Sequence, residues 1–383
     1  MFRNERLAAV AAALVLVIGM GFGRFAFTGL YPLMVADGQI SVEGGSYAAS
    51  ANYAGYLIGA LLAGFLSGIS SRKLCLFAAV TTAAMLGLLG LSLPEWLIVT
   101  IRGLAGVSSA IALVAASHWL ILDRGYHHSA PSLFAGVGVG ILVSAEIIAT
   151  GRHLALSSRS IWLVLGLVAA ALAVAMIIMQ ARAEMAKPVA MSSLRGTEDS
   201  GSSPIGATRL ILVYGLAGFG YIITATYLPL LVRTALASVD PLHIWAMFGL
   251  GAAPSCFLWH TLHVWWGTSR SLMVNLLVQA AGVALAIIHT PAAYIMSALL
   301  VGGTFMGTVT IAMPAARKAA AKVRFNILAT MTASYGVGQI IGPLIAGALY
   351  SRTQSFDASL VSAATALLIA AALSLRASRL SSS

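Results

Sequence analysis

Gly21-Phe22-Gly23-Arg24-Phe25 lies in the middle of the first hydrophobic segment of the chain, which runs from about residue 7 to residue 35. Arginine keeps its charge at any accessible pH, so this stretch puts a permanent cation among apolar residues of membrane-spanning length. Such a charge is stable only where it faces a protein interior or a water-filled cavity and has a partner. Arg24 is therefore a candidate functional residue.

The framework around Arg24 is repeated in the second half of the chain. Gly-Phe-Gly stands again at residues 218–220, 197 positions after the first copy, and a Pro-Leu pair follows each copy at the same distance. Arg72 matches Arg270 at an offset of 198, and the Gly-Val-Gly at 136–138 matches the one at 336–338 at an offset of 200. A near-constant offset at three places indicates a duplicated chain.

The composition is that of a polytopic membrane protein. Of 383 residues, 60% are hydrophobic and only 9% are charged, and the mean hydropathy is +0.94, whereas soluble domains carry about 25% charged residues. A spanning helix needs roughly 20 mostly apolar residues. Twelve segments meet this requirement, near residues 7–35, 46–67, 73–93, 97–121, 131–151, 160–181, 208–232, 241–260, 270–289, 291–315, 325–350 and 358–375.

The basic residues, which give the chain a net charge of +11, are scattered among short loops. A nucleic-acid-binding protein carries them as one patch or stripe, so no nucleic acid is expected as a partner. Along the twelve spans, sixteen basic residues fall on one side of the membrane and four on the other, with Arg24 and Arg102 inside spans. The positive-inside rule then makes both termini cytoplasmic. Cys75 and Cys256 lie in or beside spans, so neither a disulfide framework nor a metal site is predicted, and no cofactor is expected.

A long polar stretch at residues 182–207, rich in Ser and Gly, divides the chain. This composition cannot build a core and predicts a flexible cytoplasmic linker between an N-terminal six-helix bundle (1–181) and a C-terminal one (208–383). Because six is even, both bundles start on the cytoplasmic side, and parallel repeats of this kind are the arrangement of major facilitator transporters. The predicted fold is an all-α membrane protein with twelve transmembrane helices in two parallel-repeat six-helix bundles, the major facilitator fold.

Two motifs carry a family resemblance. The stretch at 21–25 is followed by Pro-Leu-Met at 32–34, and in span four Arg102 is followed by Gly106. With these motifs the chain resembles the YbfB/YjiJ-like branch of the major facilitator superfamily, a group of bacterial inner-membrane transporters, over essentially its whole length. The resemblance implies a multi-pass inner-membrane transporter rather than an enzyme.

The loop between spans two and three follows part of a superfamily pattern of Gly, three residues, an acid and then a basic pair. Here Gly64 and the pair Arg72-Lys73 match, whereas Gly68 replaces the acid. The resemblance implies that Gly64, Arg72 and Lys73 belong to a loop that gates the cytoplasmic side.

Only one of the eleven acidic residues, Glu146, lies well inside a span, and intramembrane carboxylates are ordinary proton carriers in coupled transporters. At 1.5 Å per residue, Arg24 and Glu146 both lie roughly 22–25 Å from the cytoplasmic boundary. Arg102 lies about 8 Å below the outer boundary of a core roughly 30 Å thick, at a similar height. We therefore predict a buried proton-coupling cluster in which Glu146 takes up and releases a proton while the two arginines hold its charged form. The spare positive charge favours an anionic solute, since Arg binds carboxylates bidentately.

The alternative interpretation of these residues is structural. Glu146 could form a salt bridge that holds spans four and five together, and Arg24 could cap backbone carbonyls at a helix distortion.

Polar and aromatic residues recur at helical spacing in spans one, two, seven and eleven. A polar stripe on a spanning helix faces the water-accessible cavity between the two halves of a transporter, although aromatic residues at this spacing also serve simple packing. The predicted substrate-binding residues are Arg24, Phe27, Tyr31, Asn52, Tyr56, Tyr221, Thr224, Tyr227, Tyr335 and Gln339.

Together these features predict a monomeric, proton-coupled secondary transporter that moves a small organic solute, anionic or polar-aromatic, across the bacterial inner membrane by alternating access. No phosphate-binding Gly-Lys-Ser/Thr signature is present, so an ion gradient is the expected energy source. One alternative is a proton-driven efflux pump of broad specificity. Another is a membrane acyltransferase-like enzyme that uses the spacing of His118 and Asp123, with the histidine as general base, but there is no long loop to bind an acyl donor. A channel or sensor is also compatible with the composition.

Overall fold

The structure, a computed structural model, describes residues 2–63, 68–184, 205–235, 240–320, 323 and 327–375. Gly64 of the predicted gating loop and most of the predicted linker lie outside these residues. Within them, helices joined by short turns account for the fold, and no strand is present. The α-helices are α1 (Phe2–Leu16), α2 (Ala26–Ala36), α3 (Val42–Ala63), α4 (Ser71–Leu89), α5 (Glu95–Ser117), α6 (Ala130–His153), α7 (Ser158–Glu184), α8 (Ala207–Ala235), α9 (Pro241–Leu285), α10 (Pro291–Ala320), α11 (Ile327–Thr353) and α12 (Asp357–Leu375).

Two π-helical segments interrupt this pattern at Val17–Phe25 and His118–Asp123. The first joins α1 to α2, so that the helical path is continuous from Phe2 to Ala36. π-Helical turns inside α-helices occur frequently at functional sites. This one contains the whole stretch from residue 21 to residue 25 on which the sequence analysis centres.

Nine helical stretches of the described chain are long and apolar enough to cross a bilayer, by length and composition. They do not include α3 or α11, which are rich in Gly, Ser and Tyr and therefore less hydrophobic. The longest, α9, has a break at Gly267, whose φ of 73° and ψ of 177° are not helical. Glycine adopts this conformation because it has no Cβ.

Glycines bring the helix backbones into direct contact. A Cβ added to Gly21 would lie 2.4 Å from the Cα of Gly140 in α6, and one added to Gly55 in α3 would lie 1.9 Å from the carbonyl oxygen of Gly103 in α5. The same holds between α6 and α9, where a Cβ on Gly138 would lie 2.3 Å from a backbone nitrogen. Since lipid is as apolar as leucine, close packing of small residues is a main source of helix association in membranes.

Helix packing at Gly140 is testable by adding a single methyl group. Gly140→Ala would put a Cβ 2.8 Å from the Cα of Gly21 and 2.9 Å from the backbone of Val17, and overpacking of this kind costs about 1–3 kcal/mol. We expect a lower thermal unfolding temperature for the detergent-solubilised variant. Gly87→Ala is the control, because a Cβ on Gly87 meets no atom of the described residues within 4 Å. Equal unfolding temperatures for the two variants would contradict this packing.

Candidate functional site

The guanidinium of Arg24 is buried inside an aromatic cage. The side chain, at the end of the first π-helical segment, is only 3% exposed. Its guanidinium carbon lies 4.3 Å from the ring centroid of Tyr56, 4.9 Å from that of Tyr53 and 5.2 Å from that of Phe25. These are cation–π distances, so the rings supply part of the stabilisation that water would otherwise give the charge.

Two nitrogens of this guanidinium lack hydrogen-bond partners. Nε and Nη2 of Arg24 are buried, and neither meets an acceptor in the part of the chain that the structure describes. The ion pairs of that part do not include Arg24 either. The site therefore holds a permanent positive charge with unused donors directed into the protein.

Arg102 has a different environment, although it is equally buried. Its Nη1 donates to the carbonyl oxygen of Gly23 (2.7 Å) and its Nη2 to that of Arg24 (3.0 Å). Its guanidinium carbon lies 4.5 Å from the ring centroid of Phe27, and Nδ2 of Asn52 donates to the Arg102 carbonyl (2.8 Å). Arg102 thus caps backbone carbonyls of the π-helical segment, the role that the structural alternative gave to Arg24.

Glu146 does not join the two arginines, so the predicted three-residue cluster is not formed. Its side chain is exposed on α6, on the same face as Val139 and Val143. Gly138 and Gly140, through which α6 packs on its neighbours, lie on other faces of the helix. The prediction rested on depth along the helix axes, which fixes the height of a residue but not the direction in which it points around the axis.

Three predicted substrate-binding residues from the second half of the chain lie together near Arg24. Nε2 of Gln339 donates to the hydroxyl of Tyr221, and the rings of Tyr221 and Tyr335 stack at a centroid distance of 5.8 Å. Both tyrosines are within electrostatic range of the Arg24 guanidinium. Oε1 of Gln339 is buried without a described partner. We call Arg24, Tyr53, Tyr56, Tyr221, Tyr335 and Gln339 the Arg24 site.

Other predicted residues lie away from this cage, toward the end of the bundle where α2 ends and α3 begins, which we call the distal end. The hydroxyl of Tyr31 donates to the carbonyl of Val42 (2.7 Å), and Tyr227 is bonded to Ser46 (3.0 Å) and to the carbonyl of Pro343 (3.1 Å). Phe27 stacks on Tyr31 at 5.4 Å. Thr224 is buried, and its hydroxyl has no partner in the described chain.

Sequence reasoning missed two aromatic members of the surroundings. Phe305 contacts Phe25 at a centroid distance of 5.8 Å and Tyr221 at 5.4 Å, and Tyr214 stacks on Tyr335 at 4.5 Å. Tyr214 precedes Tyr221 by two helical turns, so the face of α8 could have indicated it. Phe305 stands in an apolar span with no pattern that distinguishes it.

Of the predicted gating residues that the structure describes, Arg72 forms an ion pair at the opposite end of the bundle, where α1 begins. We call this the terminal end. Nη1 of Arg72 lies 2.6 Å from Oε2 of Glu184, which joins the start of α4 to the end of α7. Lys73 follows at the surface. Gating by this loop stays a prediction.

Hydrogen bonds and an ion pair, beside the Arg24 site and at the distal end, connect helices from the two halves of the sequence. The Tyr53 hydroxyl is bonded to that of Thr226 (2.9 Å), and Arg152 forms an ion pair with Asp240 (2.8 Å). Arg233 donates to a carbonyl in α2. These contacts join helices of the two halves beside the Arg24 site and on its distal side.

Residues 16–375 match the sequence family described as uncharacterised MFS-type transporter YbfB. The chain belongs to this family. Among curated proteins no sequence matches. Membership of the MFS-type transporters, together with the membrane-spanning helices, makes the chain a multi-pass membrane transporter rather than an enzyme.

The enzyme alternative is thereby wrong for this MFS-type transporter, and the local structure accounts for the motif behind it. Nδ1 of His118 lies 3.2 Å from Oδ1 of Asp123 and 2.9 Å from the hydroxyl of Ser71. His118 and Asp123 are the first and last residues of the second π-helical segment. A π-helix brings residues five apart onto one face, so the contact follows from the backbone.

Arg102 and Arg24 of this MFS-type transporter should contribute differently to the thermal stability of the protein. Arg102→Met leaves the carbonyls of Gly23 and Arg24 unpaired, at about 1–3 kcal/mol each, whereas Arg24→Met removes a buried charge whose Nε and Nη2 have no partner. We expect Arg102→Met to lower the thermal unfolding temperature in detergent without solute, and Arg24→Met to leave it unchanged or raise it. Similar losses in both variants would show that Arg24 is also a structural residue.

Proposed function

We propose that this protein is a secondary active transporter that moves a small organic anion across the bacterial inner membrane by alternating access. In this proposal one chain forms the transporting unit, since helices from both halves of the same sequence supply the Arg24 site. The proposed cargo is a carboxylate that also carries a ring or a hydrogen-bonding group.

The proposed architecture is twelve spans in two six-helix bundles with cytoplasmic termini. Splitting α9 at Gly267 and adding α3 and α11 to the nine apolar stretches gives that number. The internal repeat supports parallel bundles at 1–181 and 208–383, joined by the segment at 182–207. The excess of basic residues in loops at the terminal end supports its cytoplasmic position.

The observation that carries the proposal is the buried guanidinium of Arg24, which has no carboxylate partner in the described chain and whose Nε and Nη2 have no acceptor there. Nε and Nη2 form one edge of the planar group, and such an edge matches the two oxygens of a carboxylate. An isolated buried charge is costly, and no carboxylate in the described chain offsets it. An anionic cargo supplies the missing partner.

The surroundings of Arg24 support a cargo with more than a carboxylate. Oε1 of Gln339 accepts from nothing in the described chain, so a hydroxyl or amine of the solute can donate to it. The rings of Tyr221, Tyr335 and Phe305 offer flat apolar surfaces on which a ring of the solute can stack.

Alternating access requires that the two bundles close one side at a time. The bonds between Tyr53 and Thr226 and between Arg152 and Asp240 fit a state that is closed on the distal side. The central site then communicates with the terminal side when the bundles rock apart there.

Arg24 is expected to decide which solutes are carried. Uptake is measured in proteoliposomes with an imposed pH gradient, for organic anions, sugars and cationic dyes. Arg24→Met should lower the uptake of anions by at least about tenfold, because a hydrogen bond to a charged group is worth roughly 1.5–3 kcal/mol. Arg24→Lys should retain part of the uptake. Arg159→Met, which removes an exposed arginine at the distal end, is the control.

The contrary outcome has two parts: the wild type does not transport organic anions in preference to the other solutes, and Arg24→Met transports cationic dyes at the wild-type rate. In that case the protein is a proton-driven efflux pump of broad specificity.

We further propose that a proton gradient drives uptake, with Glu146 as the carrier. Its support is chemical, because it is the one acid of the sequence that lies well inside a span. Glu146→Gln should abolish the stimulation of uptake by a pH gradient, yet leave the affinity for a carboxylate solute within about twofold, since the residue does not touch Arg24. Glu43→Gln, a change at an exposed acid, should preserve both.

Stimulation that survives in Glu146→Gln would remove this residue from the mechanism. The unpaired state of Arg24 then favours a second candidate, exchange of one organic anion for another. Exchange is measured as uptake of labelled anion into vesicles preloaded with unlabelled anion, compared with uptake into empty vesicles.

A further inference from the structure

A cavity of about 570 Å³ lies at the terminal end, apart from the Arg24 site. It is formed by the start of α4, the π-helical turn after α5 and the end of α7. Its volume falls in the range of small-molecule sites, about 300–1,000 Å³. Its lining residues are Ser70, Arg72, Lys73, Leu76, Trp119, Asp123, Arg124, Ile177, Gln180 and Glu184.

The lining of the cavity, as far as the structure describes it, carries an excess of one positive charge. Glu184 is held by Arg72 at 2.6 Å and accepts a hydrogen bond from Nε1 of Trp119 at 3.3 Å. Arg124 is nearly buried, and its Nη2 donates to the carbonyl of Ala183 at 2.6 Å. With Lys73 the lining has three permanent cations against two carboxylates, so an anionic ligand is favoured.

A buried hydrogen-bond donor in the wall of the cavity indicates that the ligand carries hydrogen-bond acceptors. Gln180 is 1% exposed, and apart from a contact with the buried thiol of Cys75, a weak acceptor, its Nε2 has no hydrogen-bond partner among the described residues. Buried polar groups nearly always have a partner. A ligand with several acceptor oxygens, such as a phosphate, can satisfy this amide and one or more of the cations together.

An apolar track leads from the cavity toward the middle of the bilayer. Leu76 in the wall is 39% exposed, and Val80, one helical turn further along α4, is 53% exposed. On α7, Ile177 in the wall is followed in the same direction by the exposed Val174. A charged pocket with an apolar exit along spanning helices matches a lipid, with its headgroup in the pocket and its chains along the helices.

We propose that this cavity binds the phosphate-bearing headgroup of an anionic phospholipid. The phosphate lies against Lys73, Arg124 and Gln180, and the acyl chains follow Leu76 and Val80. A soluble phosphate ester offers the same headgroup chemistry without the chains, and the experiment separates the two sources.

The test is thermal unfolding of the full-length protein in detergent, titrated with phosphatidylglycerol, phosphatidylcholine, glycerol 3-phosphate or inorganic phosphate. We expect phosphatidylglycerol to raise the unfolding temperature and phosphatidylcholine to have little effect. Lys73→Gln and Gln180→Leu should each weaken the apparent affinity about tenfold, the effect of one charged or buried hydrogen bond. Lys318→Gln, which removes an exposed lysine at the same end, should respond like the wild type.

Stabilisation by glycerol 3-phosphate as strong as that by phosphatidylglycerol would keep the phosphate site and assign it to a soluble ester. Equal stabilisation by both phospholipids, or an unchanged affinity in Lys73→Gln, would overturn the proposal. Because Lys73 is exposed, Lys73→Gln is expected to fold, and it tests the proposal even if Gln180→Leu does not fold.

Discussion

A guanidinium that cannot lose its charge is buried at the centre of an apolar protein, and much of the structure around it compensates for that burial. The rings of Tyr53, Tyr56 and Phe25 surround Arg24 at cation–π distances. Such contacts are worth about 0.5–2 kcal/mol each, whereas the effective desolvation cost of an ion is several kcal/mol. The aromatic cage therefore offsets only part of the cost, and the remainder is available to favour an anion.

The backbone beside Arg24 depends on the second arginine. A π-helical segment does not continue the regular α-helical hydrogen bonds of its neighbours, and Arg102 donates hydrogen bonds to the carbonyl oxygens of Gly23 and Arg24 in that segment. The glycines of the segment let α5 and α6 approach closely enough for this contact. Two arginines at the same height thus have unlike roles: Arg102 stabilises the distorted helix, and Arg24 is left with unused donors.

The sequence alone predicts those features that depend on composition and on the position of a residue along a helix. Family, membrane class and the burial of Arg24 and Arg102 are confirmed, and Tyr221, Tyr335 and Gln339 lie in the same region as Arg24. The predicted contact of Glu146 with the two arginines was wrong, because hydropathy and the rise per residue give the depth of a residue in the membrane but not its direction around the helix axis. The position of Phe305 could not be predicted either. Its contacts with Phe25 and Tyr221 depend on how distant helices pack, and the sequence does not distinguish it from the other phenylalanines.

The unpaired charge also connects binding to movement in the proposed mechanism. When the bundles close over an empty site, they enclose Arg24 with Nε and Nη2 unsatisfied; when they close over a bound carboxylate, they enclose a neutral, hydrogen-bonded pair. A ligand shifts a conformational equilibrium by its differential affinity for the two states, and here that difference arises because water stops solvating the guanidinium on closure. The loaded protein therefore closes more readily than the empty one, so the same residue that selects the cargo also limits movement without it.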